Sequence, residues 1–178
     1  WRGQAVPDVD YPRPPERTAR EVIVIDRPES VQSVIYVGNL ALARSNPDFV
    51  PLTVANQVLG GSAASRLFLD LREQRSLTYG AYSDVDERVQ LAPFSAFAAV
   101  RNEVTAQAMA AFNEHLQRIV KEPPSAQEMA NAKHYLIDRF PLRIETPDKI
   151  ASLVADLRTY DLPDDYWDRF GKEIEQVT

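Results

Sequence analysis

A chain of 178 residues is long enough for one well-formed core, and its 44% apolar and 26% charged content is the balance of a globular domain. A net charge of −6, with 20 basic residues scattered along the chain, argues against nucleic acid as a partner, because phosphate binding needs a concentrated basic face. Cysteine is absent, which excludes thiolate zinc sites and a disulfide framework, and no apolar run is long enough to cross a bilayer.

The chain opens on Trp1 and runs through Pro7, Pro12, Pro14 and Pro15, which favour extended backbone. Residues 1–20 therefore read as a linker or interdomain segment in an excised piece of a longer protein. A folded domain is expected over residues 21–178, truncated at its C-terminus inside or just after a helix. Its first strand is expected at Glu21–Asp26 (EVIVID) and its second at Val31–Gly38, two β-branched runs separated by a turn. A helix follows. Asn46 can cap it, Pro47 fits its first turn, and Phe49, Leu52, Ala55 and Leu59 line one face. Gly60-Gly61 stops it, as glycine tolerates the left-handed backbone common after a helix end.

A shorter helix is expected from Ser65 to about Gln74, then strands at Thr78–Val85 and Phe94–Arg101. From Thr105 onward the period is helical. Met109, Phe112, Leu116, Ile119 and Val120 form one stripe, and Ser125 with Glu128 makes a capping box ahead of Met129, Ala132, Leu136 and Phe140. Thr146-Pro147 starts another helix, with Ile150, Leu153, Val154 and Leu157 inward. The last begins near Asp164-Asp165 and buries Trp167, Phe170 and Ile174. Strands first and helices later predict an α+β fold, a largely antiparallel sheet with helices packed on one face.

The two histidines bear on catalysis. A helical zinc-peptidase site needs two imidazoles four residues apart on one face, with a carboxylate as general base. Around His115 the segment Ala111-Phe-Asn-Glu-His115 has Ala111 where the first histidine must stand. His115 and its neighbour Glu114 read as a polar helix face, and so does His134. No metal ligand set is expected in this chain. No serine lies in a strand–turn–helix elbow, and Gly60-Gly61 lacks the spacing of a phosphate loop. Spacing alone ends at an α+β domain without a self-contained catalytic site.

The block Leu59-Gly60-Gly61, Ser65-Arg66-Leu67-Phe68, Leu71-Arg72-Glu73 and Tyr79, read with its neighbours to Ser83, resembles the signature of the second, non-zinc domain in each half of insulinase (pitrilysin) family zinc peptidases. The flanks agree: Arg27-Pro28 with Val31-Gln32-Ser33 upstream, and Ala132-Lys133, Phe140-Pro141, Glu145-Thr146 and Leu162–Tyr166 downstream. The resemblance covers about Val22 to Thr178. It departs at Ser76, where the family usually has glycine, and at Pro93, where glycine often precedes the next strand.

The resemblance implies a clamshell of two halves, in which a His-x-x-Glu-His zinc domain works with the second domain of the opposite half. It implies that Arg72 and Tyr79 reach a peptide substrate, with Tyr79 stabilising the oxyanion in trans and both residues binding substrate. It places the zinc in the parent chain or a partner subunit, as a homo- or heterodimer, with no cofactor in this chain, and in the bacterial periplasm or cytoplasm. Chemistry agrees with the assignment, since a phenol is a neutral donor to a developing oxyanion and a guanidinium holds a carbonyl or carboxylate in fixed geometry. The plainer alternatives are an Arg72 ion pair with a nearby carboxylate and an ordinary strand tyrosine at 79. Two other functions stand beside the peptidase reading: a catalytically inactive scaffold subunit of the same family, and a peptide-binding module using an exposed sheet edge. Gly60-Gly61 and Ser62–Ala64 need no role beyond a helix stop and a small-residue turn.

Overall fold

The computed structural model describes residues 10, 12, 13 and 15–178, so most of the proline-punctuated stretch expected as a linker lies outside the described residues. The described residues fall into two units, those up to Ser30 and those from Val31 to Thr178. In the first, Glu21–Asp26 is not the strand that its composition predicts. Val22, Ile23, Val24 and Ile25 are between 71% and 86% exposed. A β-branched run becomes a strand only with a ladder partner for its N–H and C=O groups and a surface for its side chains, and among the described residues this run has neither.

In the second unit the elements are, in chain order, strand β1 (Gln32–Leu40), helices α1 (Phe49–Leu59) and α2 (Arg66–Phe68), strands β2 (Thr78–Val85) and β3 (Pro93–Arg101), and helices α3 (Thr105–Lys121), α4 (Ala126–Arg139), α5 (Pro147–Thr159) and α6 (Tyr166–Gln176). The sheet is antiparallel throughout, in the order β1-β3-β2. Ile35 and Ala81 stand opposite Ala98 on its two sides, so the side chains of Ile35, Ala81, Ala96, Ala98 and Val100 share one buried face. The opposite face is open, with Val34 and Tyr36 more than half exposed. The expected α+β architecture, antiparallel with helices packed on one face, is the observed one.

Two cores result. One joins the buried sheet face to Leu59, Leu67, Leu71, Ala108, Ala111 and Phe112. The other lies among helices, where Val50, Val54 and Val58 of α1 meet Ala132, Leu157, Tyr166, Phe170 and Ile174. Helix α1 serves both, so of the stripe read from sequence Phe49 and Leu59 are buried, while Leu52 and Ala55 are only half-buried and Val50, Val54 and Val58 take the inner face.

Helix α3 buries Phe112 of its expected stripe and packs Leu116 and Ile119 partly against the core, but the two ends of that stripe face out. Met109 and Val120 are exposed, while Ala108, Ala111, Phe112 and His115 turn inward. The facing strand carries Ala96 and Ala98, and small residues on both sides allow close helix–sheet approach, so size overrides hydropathy here. In α5, Leu153 and Leu157 are buried, but Ile150 and Val154 are about half exposed. The capping box of Ser125 and Glu128 forms as expected, and Thr146 caps α5.

The ends of α1 differ from expectation in an instructive way. Asn46 accepts a hydrogen bond from the N–H of Asp48 at 2.8 Å, forming the turn before the helix, and Asp48 is the cap residue. Gly60 is not left-handed, with φ at −156°. Glycine is needed there for closeness. Its carbonyl accepts the Ser83 N–H at 3.0 Å, and a Cβ at Gly60 would lie 2.3 Å from that same nitrogen. The end of α1 is thus seated directly on β2.

Candidate functional site

Arg72 and Tyr79 lie on opposite sides of a turn in which the backbone departs from regular form three times. The short helix α2 does not continue as an α-helix but widens into a π-helical turn over Leu69–Gln74 that carries Arg72. The N–H of Arg75 reaches back five residues to the Asp70 carbonyl at 2.8 Å. Such turns are rare and recur at functional sites. Ser76 then takes a left-handed conformation, φ 53°. That backbone suits glycine, the residue that the resemblance leads one to expect at this position. It predicts that Ser76→Gly raises stability by about 1 kcal/mol, which thermal melting would register as a rise of about 2–4 °C.

The third irregularity is in β2. Thr78 pairs with Val100 and Ala81 with Ala98, so Tyr79 and Gly80 together stand opposite Ala99. This β-bulge turns Tyr79 away from the sheet, and its side chain is 93% exposed. Tyr79 is thus no ordinary strand tyrosine packed on a neighbour. Arg72 and Tyr79 both line a concavity of ≈ 500 Å³ with Gln32, Ser76, Thr78 and Arg101.

Arg72 is held loosely by charge and more firmly by an aromatic ring. Its Nε lies 3.3 Å from Glu73 Oε1, but both side chains are about half exposed, and such pairs contribute at most about 1 kcal/mol. Its guanidinium sits 4.9 Å from the centre of the Phe68 ring, one turn earlier. Phe68 continues a row of aromatic rings across the open sheet face, through Tyr82 at 5.4 Å and Phe97 at 6.3 Å to Tyr36 at 5.5 Å. Sequence reasoning named Phe68 only as part of a motif; its spacing of four from Arg72 was the available signal.

Beneath the turn lies a charged cluster that sequence reasoning missed. His115 is buried, not on a polar helix face, and its Nε2 lies 2.8 Å from Asp70 Oδ2. Arg75 donates to Asp70 at 2.9 Å and to Glu114 at 2.9 Å. Glu114 and His115 of α3 thus clamp both ends of the π turn. Burial acts to raise the Asp70 carboxyl pKa, but hydrogen bonds and charge from His115 and Arg75 together hold it below the usual value. His134 is exposed, as expected.

Comparison with known proteins decides the family. The family model described as the peptidase M16 inactive domain matches residues 2–136. The chain belongs to the peptidase M16 inactive-domain family. The insulinase and pitrilysin resemblance of the Leu59–Ser83 block is therefore borne out. An uncharacterized zinc protease of Bacillus subtilis is 26% identical over 118 residues, a match covering 66% of this chain and 29% of that protein. A peptidase M16 inactive domain from Pseudomonas fluorescens superimposes with a TM-score of 0.78 at 26% identity, over 84% of this chain and 36% of that one. An inactive peptidase domain from Bordetella parapertussis shares the fold, with a TM-score of 0.69 at 14% identity over 88% of this chain and 84% of that one. The M16 inactive domain described here therefore spans under a third of the curated relative it matches.

In the M16 family zinc belongs to the catalytic domain, and the described residues here do not fit a metal. Among the described residues no group of three histidine, cysteine, aspartate or glutamate side chains could hold an ion. His115 is committed to Asp70, and that carboxylate is further engaged by Arg75. No described helix is long and apolar enough to cross a membrane.

Proposed function

We propose that this M16 inactive domain binds peptide substrate for a zinc metalloendopeptidase, lending Arg72 and Tyr79 to a zinc site on another domain or subunit. One observation carries the reading: a π turn, a left-handed serine and a β-bulge fall within residues 69–80 and set Arg72 and Tyr79 on one concavity. Each departure from regular backbone costs stability, and such departures persist together mainly where geometry serves function.

Peptide hydrolysis places negative charge on the former carbonyl oxygen. The exposed Tyr79 hydroxyl is a neutral donor to that oxygen, and the Arg72 guanidinium, braced on Phe68, holds a neighbouring carbonyl or carboxylate of the substrate. The complementary partner is a zinc-bearing M16 domain in the same polypeptide or in a second subunit of a clamshell dimer. This domain contributes binding and orientation to that assembly and no metal ligand.

The test is steady-state cleavage of a fluorogenic peptide by the assembled peptidase. Arg72→Ala is expected to raise KM about tenfold, since ground-state positioning of the substrate is lost. Arg72→Lys should recover the charge but only part of the effect, because the planar fork is gone. An unchanged KM in Arg72→Ala, or an assembled wild type that cleaves no peptide, would instead make this domain a catalytically inactive scaffold.

A further inference from the structure

A β-bulge leaves backbone groups of the longer strand without ladder partners, and something must satisfy them if the bulge is to keep one shape. In β2 one hydroxyl contributes to that task. Thr78 Oγ1 accepts the N–H of Gly80 at 3.2 Å and donates to the carbonyl of Ala99 at 2.7 Å. The Gly80 carbonyl, 3.0 Å away, is a second acceptor for the same proton. The hydroxyl thus ties both sides of Tyr79 to the one residue, Ala99, that the bulge faces on β3. Branching at Cβ limits the rotamers of threonine, so the hydroxyl is held in place by its own side chain.

The other side of the bulge is closed by an aromatic ring. A Cβ at Gly80 would lie 2.7 Å from Cε2 of Tyr82, so that ring lies over the glycine. Tyr82 packs in turn on Phe68, the ring beneath the Arg72 guanidinium. The bulge is therefore fixed by Thr78 from within the sheet and by Tyr82 from the open face, and its shape is shared with the support of Arg72.

We infer that Thr78 is a positioning residue, whose hydroxyl sets the direction in which the bulge presents Tyr79. The part of the inference that concerns turnover rests on the function proposed above; the part that concerns geometry does not. Thr78→Val keeps the branched shape and removes the hydroxyl, and Thr78→Ser restores the hydroxyl on a smaller side chain.

Amide hydrogen exchange by NMR on the full chain reads the geometry, and turnover of the assembled peptidase reads its consequence. In Thr78→Val the Gly80 amide is expected to exchange at least about tenfold faster while the Ala98 amide is unchanged, with Thr78→Ser returning Gly80 toward wild type. Turnover should fall about tenfold with KM little affected, and the serine variant should recover most of it. Unchanged Gly80 exchange in Thr78→Val overturns the inference whatever the turnover does. Faster Gly80 exchange with normal turnover also overturns it, provided that Tyr79→Phe lowers turnover. If Tyr79→Phe is itself silent, the functional proposal has failed, and the exchange result alone decides whether Thr78 holds the bulge.

Discussion

Asp70→Ala is expected to destabilise the domain by about 3 kcal/mol, a loss of about 10 °C in Tm, more than any other single polar substitution at the site. The carboxylate is buried and receives both His115 and Arg75. Removing it leaves the His115 Nε2 position without a partner in the core, where Nδ1 already has none. Arg75 is about one-third exposed and keeps Glu114, so its share of the loss is smaller than that of a fully buried ion. Asp70→Asn retains a carbonyl acceptor and is expected to cost about half as much. Urea or thermal unfolding of the two variants measures this directly. A melting temperature for Asp70→Ala within a degree or two of wild type would show that the cluster does not hold the π turn in place.

The same cluster gives the domain an acid limit. Asp70 is held below its ordinary value in the folded chain, and Glu128 is lowered to about 2. For Glu128 the hydrogen bond from buried Arg66 is the main cause, opposed by burial and reinforced by the Ser125 N–H. A carboxyl with a depressed folded value stabilises the fold fully above its unfolded value, near 4, and that contribution is lost as pH falls through the folded value. These two carboxyls should therefore make stability fall between about pH 4.5 and pH 2. The slope should be shallower in Asp70→Ala, which has one such group fewer.

Much of the fold was legible because its signals are local. The capping box at Ser125 and Glu128, the strand at Thr78–Val85 and the start of α5 at Thr146 follow from residues within a few positions of one another. What was misread depends on distant partners. Glu21–Asp26 has the composition of a strand without a partner, and α3 leaves Met109 and Val120 outside because Ala108 and Ala111, beside Phe112, meet the alanines of β3. His115 looked polar because its partner, Asp70, is forty-five positions away. Arg44 gave no signal at all, yet it is buried against Glu87 at 2.9 Å, donates to the Tyr166 hydroxyl at 3.0 Å and lies over the Phe49 ring. At the candidate site, Arg72 and Tyr79 were found by motif. The π turn and the bulge that present them were not, since neither has a sequence period, and only the glycine missing at Ser76 marked the strained turn between them.

Tyr79→Phe in the assembled peptidase is expected to lower turnover by about ten- to a thousandfold, the range for losing one donor to a developing oxyanion, with a smaller change in KM. The substitution removes one hydroxyl from a side chain that is 93% exposed, so the fold has almost nothing to lose. Activity and stability should therefore separate in this variant more cleanly than at any residue of the buried cluster below it. In Asp70→Ala, by contrast, the two should fall together. Steady-state kinetics and thermal melting on the same preparation of Tyr79→Phe are thus the most direct measurement of whether the bulge exists to present a catalytic phenol. The account predicts reduced turnover with a melting temperature within about 1 °C of wild type. Normal turnover at an unchanged melting temperature would contradict it.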